Sequence, residues 1–298
     1  MKTKFCLSLV ALLLGITVFI SCKKNSKSDA PSTEQSSNLT KEEQSAIVKA
    51  GLSPVGAVKR NGGYLIEGDI FLTQEDLTAQ QNYINELKTG LKTEQYRSTN
   101  IVTGLPKVIN VKVDAGESQT VFTDATTEAV KRYNDLGLQL TFKLLDAQST
   151  ATADIVINGE DLGTITQGGK VYDVLGQSAG FPKNGKPATP IKLSNTYYNK
   201  DYKENALLAT VIAHEIGHAI GFRHTDYANR NYSCDKDAYD NGDVWAEKKG
   251  LDGAVLIPGT PKGADPDSWM LACAGSSSRP FTANDIIALK ALYPVVKK

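Results

Sequence analysis

His214-Glu215-Ile216-Gly217-His218-Ala219-Ile220-Gly221-Phe222-Arg223-His224 contains every histidine of a 298-residue chain. With the Ala-, Leu-, Ile- and Val-rich run just before it, the stretch predicts a helix over residues 204–220. At 3.6 residues per turn His214 and His218 stand one turn apart on one face, so both imidazoles can reach a single ion about 2.0 Å away. Glu215 sits next to His214 around the helix, near enough to touch a water on that ion without filling a ligand place. Gly221 lets the chain leave the helix, because a residue without Cβ tolerates left-handed backbone, and His224 then swings back as a third ligand. Three neutral nitrogens leave a fourth position to water, the signature of a catalytic rather than a structural zinc. Three histidines scattered at random over this length would fall at this spacing in about 7 of 100,000 arrangements, so core histidines are a poor account of it.

Composition narrows the surrounding possibilities. With 41% hydrophobic and 22% charged residues the chain is ordinary globular material, enough for one large or two modest domains and neither fibrous nor mostly disordered. Its 33 basic and 33 acidic residues cancel, and no cationic stretch interleaves with aromatics, which excludes the electrostatic footprint of a nucleic-acid binder.

At the N-terminus Lys2 and Lys4 precede an apolar run over residues 7–20, then Ser21 and Cys22. The run is shorter than the roughly 20 residues of a membrane-spanning helix and suits a signal-peptide core. Phe19-Ile20-Ser21-Cys22 resembles the lipobox of bacterial lipoproteins. That resemblance implies removal of residues 1–21, a lipid on Cys22, and a chain exported and anchored through Cys22 to the cell envelope at the outer membrane, facing periplasm or exterior. An uncleaved anchor and an ordinary secretory signal are the alternatives. Residues 22–39 hold Lys, Ser, Asn and Thr with little that is apolar and read as a flexible tether. Setting aside Cys6 and Cys22 leaves Cys234 and Cys273, which in an exported chain are expected to form a disulfide, the alternative being two buried thiols.

Residues 40–103 form an N-terminal region with a helical start over 41–49, glycine and proline punctuation, an apolar patch over 64–72 and a second helical pattern over 74–92. About 60 residues is marginal for an independent core, so this region should lean on the larger domain C-terminal to it. Over residues 104–298 strand and helix patterns alternate. Val108, Val111 and Val113 lie in one strand-like run, a helix is expected over 123–135, and strands over 138–145, 153–157, 171–181 and 191–193. The order suggests an α+β domain.

The window at 214–224 matches the HExxHxxGxxH pattern of the metzincin zinc peptidases at every fixed position. Its wording, HEIGH followed by Thr225 and Asp226, looks most like the bacterial dual-action HEIGH metallopeptidases, a group close to the matrixins. The resemblance implies a twisted mixed sheet with an active-site helix and a smaller C-terminal subdomain. It also implies one catalytic Zn²⁺ on His214, His218 and His224, and Glu215 as general base. Met270, in Ser268-Trp269-Met270 and 46 residues past His224, would be the methionine turn beneath the zinc. Residues 281–293 are similar to the C-terminal helix of matrixins, with Thr282 as its N-cap, Asp285 three residues on and Pro294 barring continuation. Astacin- and serralysin-like members carry a ligand tyrosine two residues after the methionine. This chain has Ala272 there, so no tyrosine switch is expected.

By resemblance to matrixins, a peptide or protein substrate would lie extended along an edge strand at residues 177–181. Ile66-Glu67-Gly68-Asp69-Ile70 is similar to the FxGD segment with which astacin propeptides set an aspartate on zinc, which would make Asp69 a latency ligand. Read alone, with Ile66 in place of the phenylalanine, the same residues make an ordinary hairpin turn. Asp235, Asp237, Asp240 and Asp243 could hold calcium, but an EF-hand loop begun at Asp235 would put Tyr239 and Asp240 where a ligand and a glycine belong, and a solvated acidic loop is the simpler reading. The expected function is zinc-dependent endopeptidase. Its rival is a catalytically inactive metzincin-fold lipoprotein that binds peptide or matrix around a structural zinc. The intact Glu215 speaks against that rival, and Asp69 as a fourth protein ligand would speak for it.

Overall fold

The computed structural model describes residues 39–87, 96–167, 170–227, 232–234, 254–260 and 264–297. The expected signal peptide, Cys22, the tether up to residue 38 and the acidic run at Asp235, Asp237, Asp240 and Asp243 lie outside the described residues. Among the described residues the elements run α1 (Lys41–Lys49), β1 (Val58–Arg60), β2 (Gly63–Ile66), β3 (Ile70–Thr73), α2 (Gln74–Leu87), β4 (Lys107–Asp114), α3 (Gln119–Asn134), β5 (Leu140–Leu144), β6 (Ile155–Glu160), β7 (Thr164–Gln167), β8 (Lys170–Asp173), β9 (Gly176–Ser178), β10 (Ile191–Ser194), α4 (Asn205–Ile220) and α5 (Ala283–Leu292). The fold class is α+β, as the sequence suggests.

Eight strands form one mixed sheet in the order β1-β2-β3-β9-β10-β6-β4-β5, and β7 and β8 make a separate antiparallel ribbon. β4 lies parallel to both β5 and β6, β10 parallel to β6, and β9 antiparallel to β10. The hairpin of β2 and β3 then joins the open edge of β9 through one parallel pair, Ile70 with Ser178. The expected strand over 171–181 is therefore two strands in two sheets. In β4 the alternation buries Ile109, Val111 and Val113 and turns Val108 outward.

α3 begins earlier than expected, at Gln119. The Gln119 amide accepts from the backbone N–H of Ala115 at 2.9 Å and donates to the carbonyl of Val113 at 3.1 Å, so it ties the helix start to the end of β4. Phe122, Ala125, Ala129 and Tyr133 on its inner face pack in the core that also holds α4. In α4, Leu208, Ile212, Ile216 and Ile220 recur every fourth residue and are fully buried. Each contributes about 1.5–3 kcal/mol of apolar burial, which offsets the cost of holding polar His214, Glu215 and His218 inside the same helix. Trp269, Met270 and, from α5, Ala288 and Leu289 complete that core.

The N-terminal region has a small core of its own, with Ile47, Leu52, Ile66, Leu72 and Leu77 among its members, and it closes over Phe181. Phe181 follows β9 and its ring centre lies 6.1 Å from that of His218, so both the sheet and this core reach the histidines.

Candidate metal centre

α4 carries His214 and His218 on one face and ends at Gly221, whose φ of +118° puts it in the left-handed region. A Cβ there would lie 2.7 Å from the carbonyl oxygen of Asn100, so only glycine allows the turn that returns His224 to the site. The Nε2 atoms of His214 and His218 are 3.1 Å apart and those of His218 and His224 3.2 Å apart.

Protons on two of these rings are fixed from behind. Nδ1 of His214 donates to the carbonyl of Trp269 at 2.8 Å, and Nδ1 of His218 donates to the carbonyl of Phe222 at 2.9 Å. A carbonyl only accepts, so the proton sits on Nδ1 and Nε2 presents a bare lone pair. Lone pairs facing one another at such distances repel unless a cation stands between them. Into the same space comes Oδ2 of Asp69, 3.2 Å from Nε2 of His214, 2.9 Å from Nε2 of His224 and 3.6 Å from Nε2 of His218. In a tetrahedron with bonds of about 2.05 Å the ligands lie about 3.3 Å apart. The five donor distances given above, 2.9–3.6 Å, bracket that figure, and the four donor atoms of Asp69, His214, His218 and His224 all lie within 4.8 Å of one another. The residues present therefore fit a four-coordinate metal ion.

The fourth position, left to water in the sequence reading, holds the Asp69 carboxylate. Burial raises the pKa of Asp69, but the charge of His224 and the contacts from His214 and His218 outweigh it and hold the carboxyl well below its usual range. Burial pushes His218 down to about 4, which keeps that ring neutral and able to bind metal.

Glu215 is 2% exposed. Its Oε2 has no hydrogen-bond partner among the described residues. Burial first, and the negative charge of Asp69 second, raise its pKa well above the usual carboxylate value. β9 runs so close that a Cβ on Gly176 would lie 2.6 Å from Oε1 of Glu215. Met270 is buried under α4, and its carbonyl accepts from the N–H of Thr225 at 2.9 Å. Cys234 and Cys273 are joined by a disulfide with a Cα separation of 5.1 Å. A cavity of about 350 Å³ opens beside Glu215, with Val211, Trp269, Leu271, Cys273 and Arg279 in its walls.

Of residues 177–181, the strand edge expected from resemblance to take substrate, Ser178 is paired with the N-terminal hairpin. Ser178 of β9 donates its N–H to the carbonyl of Asp69 at 2.8 Å, which is the contact that sets β3 along β9.

Three residues of the site carry no signal of their role in the sequence motif itself. Asp226 accepts from the N–H of Ala272 at 3.0 Å and from the hydroxyl of Ser233 at 2.6 Å, so it fastens the chain after His224 to the segment after Met270. Arg223 is 1% exposed and donates to the carbonyl of Gly51 at 2.9 Å. Its guanidinium lies 3.4 Å from Oε1 of Glu67. Oε2 of Glu67 is 3.3 Å from Nδ1 of His224. A charged residue in the first place of a hairpin turn, just before Gly68, is the one local hint that marks Glu67.

Comparison with known proteins gives one family. The family model described as dual-action HEIGH metallo-peptidase matches residues 64–293, a span that takes in the β2–β3 hairpin as well as the histidine window. A search of the curated proteins finds no match. Among solved structures the chain is similar to myroilysin, at 16% identity, covering 66% of this chain and 97% of that one with a TM-score of 0.40. A second myroilysin crystal structure matches at 16% identity over 69% of this chain and 92% of that one, TM-score 0.38. High choriolytic enzyme 1, a hatching enzyme zinc-protease from the medaka fish Oryzias latipes, matches at 15% identity over 68% of this chain and 95% of that one, TM-score 0.36.

Proposed function

The chain belongs to the dual-action HEIGH metallopeptidase family, and from that premise we propose that it is a zinc-dependent endopeptidase of the metzincin type whose full-length form is held latent by Asp69. The observation that carries this reading is the convergence of the Nε2 atoms of His214, His218 and His224 beside a buried carboxyl, Glu215, whose Oε2 has no hydrogen-bond partner among the described residues.

His214, His218 and His224 would hold the ion. When bound, zinc supplies Lewis acidity, lowering the pKa of water to about 7 and polarising a peptide carbonyl. The rest falls to the chain. Glu215 accepts the proton of the attacking water and returns it to the leaving amine nitrogen. Its raised pKa suits a carboxyl that must hold a proton between those steps. With Asp69 withdrawn the second cause of that rise is gone, and Glu215 is freer to start as a base. The edge of β9 would pair with an extended substrate backbone, and the cavity beside Glu215 would take a side chain on one side of the scissile bond. In the latent form β3 lies on that edge and Asp69 fills the place the attacking water needs.

A second reading, a peptide- or matrix-binding protein with a structural metal, draws support from Asp69 as a fourth protein ligand. Glu215 weighs against it, since a buried carboxyl with one oxygen left unpaired is destabilising and binding alone has no use for it. We also read residues 1–22 as a lipoprotein signal and lipidated cysteine, with the disulfide in keeping with an oxidising compartment. Radiolabelled palmitate should enter the wild type and not Cys22→Ser, and equal labelling would remove that assignment.

A mixed peptide library incubated with full-length Asp69→Ala, beside the Asp69→Ala/Glu215→Ala double variant, tests the main reading. Cleavage inside the peptides by the first, silence from the second, loss on chelation and recovery with zinc are expected. Identical digests from both proteins would overturn it.

A further inference from the structure

The β2–β3 hairpin reaches the metal centre with two carboxylates, and only Asp69 is explained by latency. Glu67 occupies the first place of the turn with φ of +62°, followed by Gly68 at +90°. The β2–β3 loop has three residues, 67–69, and a left-handed position in it favours glycine or asparagine, so a glutamate there is strained. It is also only 4% exposed, where a turn glutamate ordinarily stands in water. Two unfavourable features at one residue point to a compensating task.

The surroundings supply it. Oε1 accepts from the backbone N–H of Ser53 at 3.2 Å and faces Arg223 at 3.4 Å, while Oε2 stands 3.3 Å from Nδ1 of His224. Arg223, held by the carbonyl of Gly51 and set 5.6 Å from the centre of the Phe181 ring, gives the carboxylate a fixed counter-charge. His214 and His218 meet carbonyls of their own region at Nδ1, whereas the group at Nδ1 of His224 is an anion brought by the N-terminal hairpin. A carboxylate behind a ligating imidazole fixes its tautomer and raises its basicity toward the metal.

We propose that Glu67 is a positioning residue of the metal centre, acting through His224, and that the N-terminal hairpin and the metal ion bind cooperatively as a result. The inference rests on the reading that the three histidines hold a metal. Asp69 contacts the ion from within the site while Glu67 orients a ligand from behind. By linkage, whatever factor the hairpin adds to metal affinity, the metal adds to hairpin docking. The N-terminal region then serves metal retention as well as latency, and a chain whose hairpin has withdrawn holds its ion more weakly.

The test uses the full-length protein loaded with zinc, as wild type, Glu67→Ala, Glu67→Gln and Arg223→Met. Zinc transfer to a chromophoric chelator, the visible spectrum of the cobalt(II) form and melting temperature with and without metal are recorded for each. Glu67→Ala should lose zinc affinity by about 10- to 100-fold, the range for removing an outer partner of a ligating histidine. Its cobalt bands should shift, and the rise in melting temperature on adding zinc should shrink. Glu67→Gln, which keeps an acceptor but no charge, should fall between. Arg223→Met, which removes the counter-charge that fixes the Glu67 carboxylate, should weaken zinc binding in the same direction as Glu67→Ala and by less. Unchanged affinity and cobalt spectrum in Glu67→Gln and in folded Glu67→Ala would overturn the proposal and leave Glu67 a structural residue. Failure of the wild type itself to bind stoichiometric zinc would instead overturn the metallopeptidase reading beneath it.

Discussion

Gly217 lies directly against Met270: a Cβ on the glycine would stand 2.5 Å from the methionine sulfur and 3.2 Å from the indole nitrogen of Trp269. A glycine inside a helix costs about 1 kcal/mol relative to alanine, so its presence in the middle of α4 reflects close approach rather than helix preference. The approach has a use, because the carbonyl of Trp269 fixes the tautomer of His214. Gly217→Ala should therefore destabilise the protein by about 1–3 kcal/mol, the usual range for overpacking a core, despite its better helix propensity. Chemical denaturation with and without zinc measures this, and an equal or raised stability would show that Met270 yields without consequence.

Gly176 does for Glu215 what Gly217 does for Met270. Alanine at 176 would place a methyl 2.6 Å from Oε1 of Glu215 and drive the carboxylate from its place beside the metal site. In the Asp69→Ala background, Gly176→Ala should lower kcat/KM by about tenfold or more, a loss of roughly 1.4 kcal/mol in transition-state stabilisation, with zinc content unchanged. A full-rate variant would mean that Glu215 is not held where the chemistry needs it.

The parts of this site that could be read from the sequence are those set by local geometry. His214 and His218 are one helical turn apart whatever surrounds them, Gly221 must turn the chain, and Thr282 with Asp285 makes a capping box around the start of α5. What could not be read depends on partners far away in sequence. Ile70 pairs with Ser178 across more than a hundred residues, so the hairpin's place on β9 leaves no periodic signal in either strand. Glu67 looks like a turn residue until Arg223 and His224 are known to stand beside it. α3 starts at Gln119 because a side-chain amide takes up the backbone groups of Val113 and Ala115, a contact that apolar spacing does not record.

The disulfide closes the far wall of the cavity. Cys234 and Cys273 are 39 residues apart, and closing a loop of that length removes unfolded-state entropy worth up to about 4 kcal/mol. Asp226 stitches the same two segments through Ser233 and Ala272, so part of the geometry survives without the sulfur bridge. Cys234→Ser/Cys273→Ser should lower the melting temperature by several degrees, at about 2–4 °C per kcal/mol for a domain of this size. Adding Asp226→Ala should then cost more than the sum of the separate changes. Calorimetry of the three variants decides, and strict additivity would show that the two ties are independent.

Asp285 gives stability a pH dependence opposite to that of an ordinary capping carboxylate. It accepts from the hydroxyl of Ser268 at 2.7 Å and from the backbone N–H groups of Thr282 at 2.9 Å and Trp269 at 3.3 Å, three contacts that favour the charged form. Burial outweighs them and pushes its pKa up from 3.8 to about 6. The folded protein thus binds this proton more tightly than the unfolded chain does. The resulting stability is fully present below about pH 4 and is lost as pH rises through about 6, at most about 3 kcal/mol for a difference of this size. Asp285→Asn cannot titrate. The melting temperature of the metal-free wild type minus that of metal-free Asp285→Asn should therefore shrink steadily between pH 4 and pH 7. A gap that widens over this range would mean that the three donors, and not burial, govern the carboxyl that braces Ser268 and Trp269 beneath the metal site.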